Sequence, residues 1–204
     1  MKFIKFILFF LLSIYFTAVT ASIKTDTDAP EFTLLDSYGK KVSLSEYKGK
    51  TIILEWTNHG CPFVAKHYSS GNMQNTQDKA KDYGAVWISI ISSAVGTQGY
   101  VTNKEANELT QSRNASPDHV LFDEEGTIGR LYDAKTTPHM YVIDPQGFLK
   151  YQGAIDDAGG RGFMSKNLLK ANNYVLNALN NLTNNQEIKD HTTKPYGCSV
   201  KYKS

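Results

Sequence analysis

The run Thr51-Ile52-Ile53-Leu54-Glu55-Trp56 limits the possible folds more than any other stretch of this chain. It is continuous, β-branched and apolar, the signature of a strand buried on both faces inside a sheet. Asn58-His59-Gly60 then turns the chain into Cys61-Pro62. Proline is favoured in the first turn of a helix, so a helix is predicted to start there. A buried strand therefore runs straight through a tight turn into a helix, with a cysteine at the junction.

The rest of the chain repeats this alternation. Phe32–Leu35 and Lys41–Leu44 read as short strands around Asp36-Ser37-Tyr38-Gly39, where Gly39 supplies a positive φ and Asp36 caps the bend. Ser69-Ser70-Gly71 breaks the first helix before a second, Met73 to Asp82. Ala85–Ile91 is another buried strand, followed by a helix over Asn103–Ser112, a strand over His119–Phe122 and a short helix over Thr127–Tyr132. Met140–Ile143 and Phe148–Tyr151 flank Asp144-Pro145-Gln146-Gly147, a strong hairpin signal. One long helix is expected over Ser165–Leu182, with Leu168, Leu169, Val175, Leu176 and Leu179 on a single face. From Asn184 the chain reads as a polar, irregular tail as far as Tyr196-Gly197-Cys198. The pattern predicts an α/β fold, a central mixed sheet with helices on both faces.

The first 21 residues read as an export signal. Lys2 and Lys5 precede the apolar run Phe6–Phe16, and Val19-Thr20-Ala21 has the small residues of a cleavage site. The apolar core, about 14 residues, is short of the roughly 20 of a spanning helix. Export to the periplasm or medium is expected, with membrane attachment only through an uncleaved signal. The chain has 22 Lys+Arg against 20 Asp+Glu, and losing Lys2 and Lys5 with an acid-free leader leaves these balanced. Nothing in that balance suggests a nucleic-acid or anionic-membrane partner. Residues 22–183 suit one domain, with 184–204 as a tail carrying the second cysteine. With only Cys61 and Cys198, one intramolecular disulfide or two separate thiols are possible.

Cys61 is the candidate nucleophile. At a helix start its sulfur faces the free N–H groups and the positive end of the dipole, which favour the reactive thiolate. The plainer alternative is a small inert core residue, but Cys61 lies between Gly60 and Pro62, outside any apolar stripe. Thr136-Thr137-Pro138 precedes a strand, and on spacing alone Pro138 is only an entry residue. His59, His67 and His139 with Cys61 offer a soft Cys/His set that copper would favour, although no C-x₂-C or H-x₃-H pair supports it. Nothing calls for a cofactor. Asp156-Asp157 reads first as the cap of a solvated turn, with a cation ligand or a group that positions something near the site as the alternatives.

Ala29-Pro30-Glu31-Phe32-Thr33-Leu34, Gly39–Leu44, Tyr47-Lys48-Gly49-Lys50 and the stretch Thr136–Gly147 resemble the redoxins, the alkyl hydroperoxide reductase/thiol-specific antioxidant (peroxiredoxin-like) family of the thioredoxin superfamily. Asn58–Val64, Lys66-His67-Tyr68, Gly153–Asp157 and Gly197–Tyr202 look like a bacterial peroxiredoxin-like subgroup. The resemblance implies a thioredoxin-like fold with Cys61 as nucleophile and Pro138 cis beside its sulfur. It departs from the family at several points. Val64 stands where thioredoxin-type reductases carry their second cysteine, and Leu54 and Asn58 stand where peroxiredoxins carry proline and threonine. Thr57 is one position off. The peroxiredoxin arginine has only Arg130 or Arg161 as substitutes. A thiol oxidoreductase attacking a peroxide or a protein disulfide is expected, fed by an unidentified thiol donor, with Cys198 resolving and Thr57 or Asn58 bonding the sulfur. The alternatives are a redox-inert binding module stapled by a Cys61–Cys198 disulfide and a Cys/His copper-handling protein.

Overall fold

The computed structural model describes residues 23–203, so the expected export signal lies outside the described residues. β1 (Thr33–Asp36) and β2 (Lys41–Ser43) form a hairpin. At its turn the Asp36 carboxylate accepts the Tyr38 and Lys40 N–H groups at 2.9 and 2.8 Å, and Gly39 takes φ +78°. β3 (Ile52–Trp56) runs through the Cys61 turn into α1 (Pro62–Ser69) and α2 (Asn72–Asp82). β4 (Val86–Ile91), α3 (Asn103–Ser112), β5 (His119–Phe122) and α4 (Thr127–Leu131) follow. β6 (Thr136–Thr137) ends at a cis Thr137–Pro138 peptide bond, after which β7 (His139–Ile143) and β8 (Leu149–Gly153) form the predicted hairpin. α5 (Tyr174–Thr183) and β9 (Cys198–Ser199) come last.

Seven strands form one mixed sheet in the order β2-β1-β5-β4-β3-β7-β8. β3, β4 and β5 are parallel, and the flanking pairs are antiparallel. β3 lies inside, and the alternation of its side chains sends apolar residues to both faces of the sheet. Ile52, Leu54 and Trp56 enter one core with Ile88, Ile90 and Tyr141. Ile53 enters the other with Trp87, Met140 and Val142, beneath Val64 and Tyr68 of α1, Met73 and Ala80 of α2 and Val175 and Leu179 of α5. α3 packs Ala106 and Leu109 on Ile91 and Val120. Across the sheet, Ile128 of α4 and Phe32 cover the first core. Among the described residues no helix is long and apolar enough to cross a membrane.

The expected helix over Ser165–Leu182 is not continuous. Two 3-10 turns, Phe163–Ser165 and Leu168–Lys170, precede α5, which starts only at Tyr174. The break has a local cause. Tyr174 N–H donates to Ile155 O at 3.0 Å and Asp157 N–H to Asn172 O at 3.1 Å, which holds residues 172–174 extended against the chain after β8. The Asn173 side chain then caps α5 by accepting Leu176 N–H at 3.0 Å. Leu168 is buried in a separate small cluster with Ala158 and Phe163, while Leu169 is 59% exposed. Nor is the tail loose: Gln152 N–H donates to His191 O at 3.0 Å and Thr193 N–H to Gln152 O at 3.1 Å, binding it along β8.

Asn173→Ala should therefore destabilise the protein by about 1–2 kcal/mol, the cost of a lost helix cap. Leu169→Ala should stay within about 0.5 kcal/mol, as for an exposed site. Urea unfolding of both variants checks this; a continuous helix burying Leu169 would reverse the ranking.

Candidate active site

Cys61 is the N-cap residue of α1. Its N–H donates to Asn58 O at 3.0 Å, closing the turn, and its carbonyl accepts Ala65 N–H at 2.9 Å, opening the helix. The side chain is 0% exposed, and its thiol donates to Thr137 O at 3.1 Å. Thr137 is the residue before cis Pro138, so the turn after β3 and the turn before β7 meet at this sulfur.

The second cysteine comes to the same point. β9 pairs antiparallel with β6, Cys198 opposite Thr137 and Ser199 opposite Thr136. Gly197 makes this approach possible: its φ is +143°, and a Cβ there would lie 2.0 Å from Thr137 O. Both cysteines are free, and Cys198 packs against the buried cluster that contains Cys61.

The two thiols are pushed apart in acidity. Burial raises the Cys61 pKa, but the Cys198 thiol and the Val64 and Cys198 N–H groups together bring it below the ordinary thiol value. Burial and the neighbouring Cys61 push Cys198 up to about 11. Cys61 is thus the more acidic thiol of the pair.

Tyr196 anchors the tail just before Cys198. Its hydroxyl donates to Asp156, and His67 Nε2 stands 3.1 Å from the same oxygen. Asn72 Nδ2 serves both His67 Nδ1 at 2.9 Å and Asp156 Oδ2 at 3.1 Å. These contacts assign His67 the tautomer protonated at Nε2, which donates to Tyr196. The Tyr196 ring lies 5.3 Å from that of Phe163 and 6.0 Å from that of Phe63. Asp156 is thus a buried acceptor and not the cap of a solvated turn, and burial pushes its carboxyl up.

The structure does not bring Asn58 or Thr57 onto the sulfur. Asn58 is buried, but its side chain accepts Gly60 N–H at 2.8 Å and donates to Gln98 O at 3.0 Å, so it builds the turn. The Thr57 hydroxyl is buried with no partner among the described residues and lines a cavity of about 40 Å³ with His59, Tyr68 and Arg113. The histidines do not gather round Cys61 either. His67 belongs to the Tyr196 anchor, and His139 Nδ1 faces Lys135 N–H and the Tyr141 hydroxyl. Burial lowers His67 to about 4 and His139 to about 3, so both are neutral at physiological pH. Among the described residues no three His, Cys, Asp or Glu side chains are placed to share a metal ion. Arg130 is committed to Glu125 O and Lys203 O, and Arg161 is exposed.

Two residues near the site escaped sequence reasoning. Glu55, in β3, is fully buried and accepts from Trp87 Nε1 at 3.0 Å, Ser89 Oγ at 2.9 Å and Tyr68 OH at 3.1 Å. Burial nevertheless pushes its carboxyl up. The only signal was one acid inside an otherwise apolar run. Arg113, at the end of α3, donates to His59 O at 3.3 Å and stacks 5.1 Å over Tyr68.

The AhpC/TSA family model matches residues 25–152, which include β1 to β7, the Cys61 turn and the cis-proline strand. The chain belongs to the AhpC/TSA family. It is 25% identical over 126 residues to the thiol-disulfide oxidoreductase ResA of Bacillus subtilis, covering 62% of this chain and 65% of ResA. It is also 25% identical over 140 residues to the chloroplastic peroxiredoxin Q of Suaeda salsa, covering 67% of this chain and 62% of that one. The chain thus spans less than two thirds of either relative. An uncharacterized conserved protein from Geobacillus kaustophilus superimposes with a TM-score of 0.77 at 20% identity, over 88% of this chain and 93% of that one. The AhpC/TSA domain here has the expected thioredoxin-like α/β fold.

Spectroscopic titration of thiolate absorbance should give a first step below the ordinary thiol range and a second near 11. Cys61→Ser should remove the first step and Cys198→Ser the second, with Cys61 moving up once the thiol donor is lost. Two steps at ordinary thiol values would contradict the assigned roles.

Proposed function

We propose that this chain is an exported thiol oxidoreductase whose working unit is the Cys61–Cys198 dithiol. One observation carries the reading. The thiol of lowered pKa at the start of α1 has the other cysteine, still protonated, docked against it. AhpC/TSA membership and the likeness to ResA and peroxiredoxin Q support thiol chemistry, and the Lys2/Lys5 and Phe6–Phe16 leader supports export.

The Cys61 thiolate attacks an oxidant. On a peroxide it forms an S–O bond as the O–O bond breaks, leaving a sulfenic acid and an alcohol or water after protonation. On a disulfide it displaces one thiolate and forms a mixed disulfide. In both cases the Cys198 sulfur attacks the Cys61 sulfur and gives up its proton. Water or the second thiol leaves, and the Cys61–Cys198 disulfide forms. The dithiol loses two electrons and the oxidant gains them. An external dithiol, or two thiols in turn, then restores the pair: the first sulfur forms a mixed disulfide and frees one cysteine, the second displaces the other, and the donor leaves as a disulfide. Cys61 is wholly covered and Cys198 only partly, so the donor attacks Cys198. Cys61, the thiol of lower pKa, is also the better leaving group.

Asn58 and Thr57 support the turn and the adjoining cavity in this reading, Pro138 shapes the β6–β7 turn, and residues 184–204 act as the arm that delivers Cys198. Mass mapping after alkylation, with and without one equivalent of hydrogen peroxide, tests the cycle. Peroxide should give a Cys61–Cys198 disulfide, and Cys198→Ser should trap Cys61 as a sulfenic acid. Ready reaction with a small disulfide but not with peroxide would assign disulfide exchange. A Cys61 inert to both would remove the redox role.

A further inference from the structure

The tail does more than deliver a thiol. Beside Cys61, β6 offers the extended backbone edge that a second strand would use, and β9 already occupies it. Val200 N–H donates to Lys135 O at 3.2 Å and continues the pairing beyond β6. The Gly197 backbone lies directly on Thr137 O. A peptide adding to a sheet edge needs these same main-chain groups for its affinity.

The occupant is fastened on both sides of Cys198. Upstream, Tyr196 is held by Asp156, His67 and the Phe63–Phe163 stack. Downstream, Lys201 O accepts Ala94 N–H at 2.9 Å, the Tyr202 hydroxyl donates to Ala134 O at 2.6 Å, and the Arg130 guanidinium sits 4.7 Å from the Tyr202 ring. The Tyr202 ring lies where a Cβ on Gly126 or Gly129 would come within 2.5 or 2.6 Å, so both positions suit glycine. Lys203 pairs with Glu125 at 2.9 Å.

We propose that the chain's own residues 196–203, paired along the β6 edge, act as a built-in competitor that keeps an extended, cysteine-bearing protein segment from reaching Cys61 there. This rests on Cys61 being the redox nucleophile. A partner strand would place a disulfide-bonded cysteine opposite Thr137, where Cys198 now stands. The Cys61 thiolate would attack that sulfur, the partner's other sulfur leaving as a thiolate and taking up a proton. A tethered segment competes at an effective concentration of order millimolar. A micromolar protein disulfide therefore reaches Cys61 only when the tail has left, whereas a small oxidant needs only a brief local opening. The tail selects small oxidants over protein disulfides.

Two chains carrying Cys198→Ser test this, one of full length and one ending at Pro195. Each is reacted with cystamine and with a short extended peptide whose single cysteine is bridged to cysteamine, and Cys61 adducts are timed by mass spectrometry. Removing the tail should speed the peptide reaction at least about tenfold more than the cystamine reaction. A synthetic peptide of residues 196–203 with Cys198→Ser, added at millimolar concentration, should reverse the gain. Equal acceleration of both reagents, or none, overturns the proposal and leaves Cys61 a redox thiol. A Cys61 inert to both reagents in both chains removes the redox reading and the proposal with it. If the shortened chain does not fold, Tyr202→Ala in the full-length Cys198→Ser protein gives the same comparison: selective acceleration of the peptide supports the proposal, and parallel rates overturn it.

Discussion

The contact of Gly197 with Thr137 O sets the rest of the site. At that point the chain end comes close enough to β6 to form β9, because no Cβ intervenes. Cys198 is then placed opposite Thr137, whose carbonyl already accepts the Cys61 thiol. One backbone approach thus brings together residues 137 positions apart in sequence. It also sets their unequal acidities, since the Cys198 thiol and N–H both favour charge on Cys61. Without it, Cys61 would keep the helix N-terminus and lose its nearest proton donor.

The sheet provides the fixed frame for this contact. β3 and β7 are antiparallel neighbours, with Trp56 opposite His139, so the turns that follow β3 and precede β7 lie at the same sheet end. Buried side chains on both faces of β3 hold that register, and a shift by one residue would send Ile53 and Leu54 to the wrong cores. The Tyr196 anchor then determines where the tail meets the frame. Its polar atoms are all paired with groups on α1, α2 and the chain after β8, as buried polar groups require.

Much of this frame was legible because it rests on local signals. Periodicity marked β3, β4 and α3, and Asp36-Ser37-Tyr38-Gly39 and Asp144–Gly147 marked their turns. Pro62 beside Cys61 placed the reactive thiol at a helix start. What escaped depends on distant partners. The helix expected from Ser165 is interrupted because Ile155 O and Asp157 N–H claim the backbone of residues 172–174, and no local pattern records that. Asn58 occupies the place of a catalytic threonine in the resemblance, yet its amide is spent on Gly60 and Gln98. The tail is polar because its anchors are hydrogen bonds and aromatic contacts, so composition made it look loose. Glu55 was hidden in an apolar run because its satisfying donors come from Tyr68, Trp87 and Ser89, all on other elements.

Gly197→Ala gives the most direct test, because it changes the close approach and no thiol. The added Cβ clashes with Thr137 O and forces an unfavourable φ, so β9 should lift from β6 while the sheet stays folded. The Cys61 pKa should rise toward the ordinary thiol value, and oxidative closure of Cys61 with Cys198 should slow at least about tenfold as orientation is lost. An unchanged Cys61 pKa with unchanged closure would show that Cys198 reaches Cys61 by another route, and would contradict the account.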